Sequence, residues 1–156
     1  MSDQYDIQTT EHEDAALNDS MDLHLVFRIE DEDYAINVAE VSNILQYSDI
    51  RKVPQTPPHI KGIMNIRGDI IPVICVRTKF MKPLIPYDDT CIVKVQYEEY
   101  ALGLIVDSVV GVEPIRPGQI SAPPSSKLNI RNQFIKSIGK TENGIRLIMS
   151  LDKLIF

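Results

Sequence analysis

The chain has 156 residues, 44% of them apolar, and a formal net charge of −6 from 16 Lys and Arg against 22 Asp and Glu. That length holds one domain or two small packed subdomains. No apolar run approaches the roughly 20 residues of a membrane span, and no apolar leader follows the amino terminus, so direct membrane insertion is not expected and a cytoplasmic location is the default. The charge is uneven. Residues 1–22 carry seven acids (Asp3, Asp6, Glu11, Glu13, Asp14, Asp19, Asp22) and no Lys or Arg, which leaves 15 acids against 16 bases in the remainder. The acidic segment reads as a disordered, solubilising tail, with docking of a partner as the alternative. The near-neutral remainder has no basic run and argues against nucleic-acid binding.

In chain order, Leu23–Ile29 predicts a strand, Glu30–Asp33 a polar turn and Tyr34–Val38 the returning strand. Val38, Val41, Ile44 and Leu45 recur at helical spacing, which predicts a short helix over about 39–46. Pro54, Pro57 and Pro58 mark a loop. From Gly62 to Ile74 two apolar runs flank Arg67-Gly68-Asp69, the pattern of a tight β-hairpin in which glycine supplies positive φ. Val76–Phe80 predicts a helical turn before a Pro83–Pro86 connector. Then Thr90–Val95 and Tyr100–Val106 read as strands around a Gln96–Glu99 turn. Glu98-Glu99-Tyr100-Ala101-Leu102 echoes Glu32-Asp33-Tyr34-Ala35-Ile36, 66 positions earlier, and suggests two similar β subdomains. Pro114–Asn129 predicts loop. Phe134–Lys140 and Ile145–Leu151 predict a last hairpin on the turn Glu142-Asn143-Gly144, and Asp152 a terminal helical turn. Many short strands with few helical patterns predict a β-dominated, all-β fold, with barrels as its form.

Little here points to chemistry. His12 lies in the acidic segment, His24 is expected on the polar face of the first strand, and His59 follows two prolines in a loop. No nucleophile motif, phosphate loop or close metal-ligand pair is present. Asp88-Asp89 and Glu98-Glu99 read as solvated turn charges. Cys75 and Cys91 read as buried free thiols of a reducing compartment, with a disulfide between them left open. Arg67, beside a turn and flanked by apolar residues, is either an ordinary solvated cation or one ordered for recognition. Its Arg-Gly-Asp tripeptide also matches an adhesion motif, which nothing else in the chain supports.

Two motifs carry a resemblance. Asn65-Ile66-Arg67-Gly68 followed by Ile71-Pro72-Val73, and Gly103-Leu104-Ile105-Val106-Asp107-Ser108-Val109, together with the opening strand–turn–strand, resemble the CheW family of chemotaxis coupling proteins from about Leu23 to Ile155. The resemblance implies two intimately packed SH3-like five-stranded β-barrels, over about 23–82 and 88–156, with strand exchange between them allowed. It implies a non-catalytic adaptor of signal transduction without cofactor or metal, working by protein–protein interaction at membrane-proximal receptor arrays in the cytoplasm. The implied partners are the regulatory domain of the histidine kinase CheA and the cytoplasmic tip of methyl-accepting chemoreceptors. The receptor groove maps to Val41, Ile44, Gly62, Arg67, Leu102, Gly103 and Val109, with Asn65 and Gly68 shaping the motif turn. In this reading the aliphatic residues bury receptor surface, the glycines admit close backbone approach and Arg67 fixes register through charge-assisted hydrogen bonds. Two positions depart from the family pattern: Asn43 stands where many relatives carry an acid, and Ser125-Ser126 occupy a loop that often carries an aromatic residue. Alternatives are a coupling protein of a related array such as one for surface motility, a small β-barrel hydrolase, or a β-barrel nucleic-acid binder with a steep salt dependence.

Overall fold

The computed structural model describes residues 22–48 and 50–156. The rest of the acidic segment, His12 included, lies outside the described residues. Hairpin turns set the register. Glu30, Arg67 and Glu98 each take positive φ (56°, 51° and 54°) at the first position of a two-residue turn, the handedness that matches the twist of the flanking strands. These turns join β1 (Leu23–Ile29) to β2 (Glu32–Asn37), β4 (Ile60–Ile66) to β5 (Asp69–Cys75), and β6 (Cys91–Tyr97) to β7 (Tyr100–Val106). The Asn-Gly hairpin joins β10 (Ile135–Thr141) to β11 (Gly144–Met149). Strands β3 (Val41–Gln46), β8 (Ser108–Pro114) and β9 (Ile120–Ser121) and the short helices α1 (Val76–Lys79) and α2 (Leu151–Ile155) complete the fold.

The strands form two sheets, one of six strands in the order β8-β1-β2-β11-β10-β9 and one of five in the order β3-β6-β7-β5-β4. Each sheet draws strands from both sides of the 83–87 connector: the β1–β2 hairpin joins the later strands, and the β6–β7 hairpin joins the earlier ones. The joins are parallel, β2 to β11 at Tyr34↔Leu147 and β7 to β5 at Gly103↔Val73. The six-stranded sheet exceeds the expected five by β9, a two-residue edge pairing inside the Pro- and Ser-rich segment read as loop.

The sheets repeat one pattern. Phe27 pairs with Val109 on β8, and Val95 pairs with Val41 on β3, each beside a bulge. The two sheets share this register, but the echo read in the sequence is displaced. Glu30-Asp31 turns the first hairpin and Glu98-Glu99 the second, so Glu32 corresponds to Tyr100, not to Glu98.

Three apolar clusters fill the fold. The largest lies between the sheets and takes Leu25, Phe27, Tyr34 and Ile36 from one and Ile74, Val93, Val95, Leu102 and Leu104 from the other. Val26, Ala35, Ile115 and Ile148 pack within the six-stranded sheet, and Val73, Cys75, Ile92 and Ile105 within the five-stranded one. Both sheets curl. An antiparallel bridge between Arg51 and Ile63 brings the chain beyond β3 alongside β4. Thr141 on β10 reaches Glu113 on β8.

Three sequence expectations are corrected. Residues 39–46 are not a helix. A 3-10 turn over Val38–Glu40, capped by the Asn37 side chain accepting from the Ala39 N–H, leads into strand β3. The apolar spacing fits either period, and pairing with β6 decides it, because the bulge between Val41 and Asn43 resets the alternation. Strand β8 went unread because the Val-Val-Gly-Val run carries a matching bulge. His24 is buried, not exposed: it lies between Asn37 and Glu113 in the ladders, with Nδ1 2.6 Å from the Asp22 carbonyl oxygen. Cys75 is buried, Cys91 half-buried, and both are free thiols.

An ion network centred on the buried Arg146 braces the six-stranded sheet. Arg146 Nε donates to Glu113 at 2.6 Å and its Nη1 to Asp33 at 2.9 Å, and Asn143 also donates to Glu113. Burial pushes the Glu113 carboxyl up, but the bonds from Arg146, Asn143 and Thr141 outweigh it and hold the group below its usual 4.5. The stabilisation is therefore present above that pH and lost as the pH falls below it. Glu113→Gln is expected to lower Tm at neutral pH and to flatten the acid side of a Tm–pH profile. Because each sheet needs strands from both halves, residues 22–82 and 83–156 produced separately should lack native amide dispersion in NMR, and mixing them should restore it.

Candidate partner-binding site

The residues singled out by sequence fall into three settings. Val41 and Val109 are half-buried on the edge strands β3 and β8 and pack against the shared core. Ile44 follows on β3, 49% exposed, opposite Val93. Val112 stands at the corresponding place on β8, 56% exposed, opposite Leu25. Val110, the bulge residue, is also exposed. The two edge strands thus present matching apolar side chains beside the core that joins the sheets. Sequence reasoning missed Val110 and Val112 because it missed their strand.

Leu102 and Gly103 sit in β7, flanked on both sides by β6 and β5. Leu102 is 2% exposed and belongs to the shared core, where it supports Val95 and, beyond it, Val41. It underlies the edge-strand surface instead of lining it. Gly103 lies in one row of the sheet with Asn43, Lys94, Val73 and Gly62. A Cβ on Gly103 would meet Ile92 Cγ2 at 2.8 Å. At Gly62, with φ 152°, a Cβ would stand 2.2 Å from the Arg51 carbonyl oxygen. The close backbone approach expected there is made by this chain itself: Arg51 and Ile63 exchange hydrogen bonds of 2.9 and 2.8 Å.

Arg67 is exposed at the tip of the β4–β5 hairpin and makes no hydrogen bond or ion pair among the described residues. The turn beneath it is fixed, since the Gly68 N–H donates to Asn65 Oδ1 at 2.9 Å. Gly68 shares the positive φ with Arg67 itself, at 91° and 51°. Asn43 forms no side-chain bond to Arg67 among the described residues, so the cation expected to be freer or differently held has no partner there. The Ser125-Ser126 loop is anchored from behind, where the buried Asn132 amide donates to the Ser125 carbonyl at 2.8 Å.

One group at the junction of the sheets was not found from sequence. Asp107 accepts from Arg77 Nε at 2.8 Å and from its Nη2 at 2.6 Å, with both side chains nearly buried at 13% and 7% exposure. The pairing holds the guanidinium even more firmly protonated than usual. Asp107 was legible as a motif residue, but its partner lies 30 positions away. Burial, with Lys79 and Lys61 nearby, lowers the pKa of His59 below its usual value. Among the described residues no three His, Cys, Asp or Glu stand together as a metal site, and no helix is long and apolar enough to cross a membrane.

Substitution at Gly62 and Gly103, both buried, separates backbone packing from recognition. Gly62→Ala should destabilise by on the order of 3 kcal/mol, since the clash is with backbone at a φ that side chains disfavour. Gly103→Ala should cost about 1–3 kcal/mol, because the Ile92 side chain can give way in part. Chemical denaturation of each variant measures both.

Comparison with known proteins accords with this architecture. The family model described as the CheW-like domain matches residues 23–155. The chain is 27% identical over 132 residues to the chemotaxis protein CheW of Klebsiella aerogenes, covering 84% of this chain and 80% of that one. It is 31% identical over 129 residues to the chemotaxis protein CheW of Bacillus subtilis, covering 82% and 81%. The solved structure of the scaffolding protein TtCheW from Thermoanaerobacter tengcongensis superimposes with a TM-score of 0.76 at 32% identity, covering 83% of this chain and 88% of that one. Two strand-exchanged sheets of this kind, matched from end to end of the described fold, place the chain in the CheW family of chemotaxis coupling and scaffolding proteins.

Proposed function

We propose that this chain couples chemoreceptors to the histidine kinase CheA in the cytoplasm, binding the receptor's helical tip over its two edge strands and the CheA regulatory domain elsewhere on its surface. The observation that carries the reading is the paired apolar edge: Val41 and Ile44 on β3 and Val109 and Val112 on β8, in matching registers beside the shared core. An amphipathic helix laid on such a surface buries apolar area at roughly 25 cal/mol per Å² before the costs of association. Arg67 supplies an unpaired cation on a rigid turn, ready to donate to a carboxylate or carbonyl of the partner. Gly62, Leu102 and Gly103 enter this reading as the packing that fixes the sheet bearing Val41 and Ile44.

Arg67→Ala is expected to weaken binding of a receptor-tip fragment while leaving stability within about 1 kcal/mol, as for an exposed interface residue. Marked unfolding would make Arg67 a structural brace. Calorimetric titration of this chain with the CheA regulatory domain of the same organism should give saturable one-to-one binding. Its absence at high concentration would overturn the kinase part of the assignment.

A further inference from the structure

Asp107 occupies the point where the chain leaves the five-stranded sheet at β7 and enters the six-stranded sheet at β8. Its carboxylate gathers two other parts of the molecule directly and a third through Arg77. Arg77 of α1, which follows β5 of the five-stranded sheet, donates to it through Nε and Nη2 at 2.8 and 2.6 Å. The Glu30 backbone N–H, from the β1–β2 turn of the six-stranded sheet, donates to Oδ2 at 2.7 Å. Tyr87, in the connector between the halves, lies 3.4 Å from Arg77 Nη2 through its hydroxyl and stacks near the guanidinium, 5.4 Å from ring centroid to Cζ. The Asp107 N–H also donates to the Arg28 carbonyl at 3.0 Å.

The fold does not require this arrangement at a crossover. In the matching crossover from β2 to β3, Ala39 precedes Val41 by the same two residues that separate Asp107 from Val109. The second position of α1 is Arg77, and that of α2 is Asp152. One crossover is therefore clamped by a bidentate ion pair, and among the described residues its repeat is built without one. A planar guanidinium held at two oxygens constrains orientation as well as distance. Buried ion pairs add little net stability over apolar side chains of similar volume.

From this geometry we infer that Arg77 and Asp107 are positioning residues: they hold the two sheets in one relative orientation, and through Val109 they set the spacing of the edge strands that form the partner surface. The link to binding rests on the receptor reading above, while the orientation of the sheets can be measured without it.

Amide residual dipolar couplings of the whole chain provide the test. In the native chain one alignment tensor should fit both sheets. The double variant Arg77→Met with Asp107→Leu keeps the volume and removes the clamp, and it should fold but require a separate tensor for each sheet. Asp107→Asn, which keeps an acceptor for Glu30 and loses the charge, is the second variant. Receptor-tip affinity should fall on the order of tenfold in either. A single shared tensor in a folded variant overturns the inference. So does loss of native amide dispersion in both variants, which would make the pair a requirement for folding. Separate tensors with unchanged affinity leave the orienting role standing and remove its link to binding. If Ile44→Ala and Arg67→Ala also leave affinity unchanged, the receptor reading itself has failed.

Discussion

The fold depends on burying one apolar layer that neither half of the chain can cover alone. Phe27, Tyr34 and Ile36 come from a hairpin in one half, and Val95, Leu102 and Leu104 from a hairpin in the other. Each hairpin is completed by parallel pairing to a strand from across the connector. The hydrophobic term that stabilises the domain therefore also holds the two sheets against each other, and the edge strands β3 and β8 pack Val41 and Val109 against that layer.

Polar groups refine what burial establishes. The Arg146–Glu113–Asp33 network braces the six-stranded sheet internally, and the Arg77–Asp107 pair spans both sheets. Hydrophobic contact is indifferent to small rotations of one layer over another, whereas a bidentate pair is directional. The division is clear at Asp107, whose carboxylate meets the helix, the hairpin turn and the crossover at one point.

Much of this was legible in the sequence. Turn chemistry gave the hairpin at Arg67-Gly68 and the one at Asn143-Gly144, and the apolar run Tyr100–Val106 gave β7. What failed did so for identifiable reasons. Bulges at Val41 and Val109 break strict alternation, so β3 read as a helix and β8 was not read. The burial of Leu102 follows from β7 being central in its sheet, a fact of pairing order that local pattern does not carry. The role of Gly62 depends on Arg51, brought in by a loop whose prolines reveal its existence but not its path. Arg67 was legible as an exposed residue at a hairpin tip because that placement depends on local chain geometry alone.

The exchange of hairpins between halves also bears on how the chain is made. Strand β2 leaves the ribosome well before its partner β11, and β5 waits for β7. At 5–20 residues per second, on the order of ten seconds of synthesis separates β2 from its neighbour. For that interval the nascent chain carries an open apolar strand edge, the kind of surface that pairs with other chains when left uncovered. Exposure of that edge during synthesis is thus set by topology, and the need for chaperone protection falls before the β10–β11 hairpin emerges.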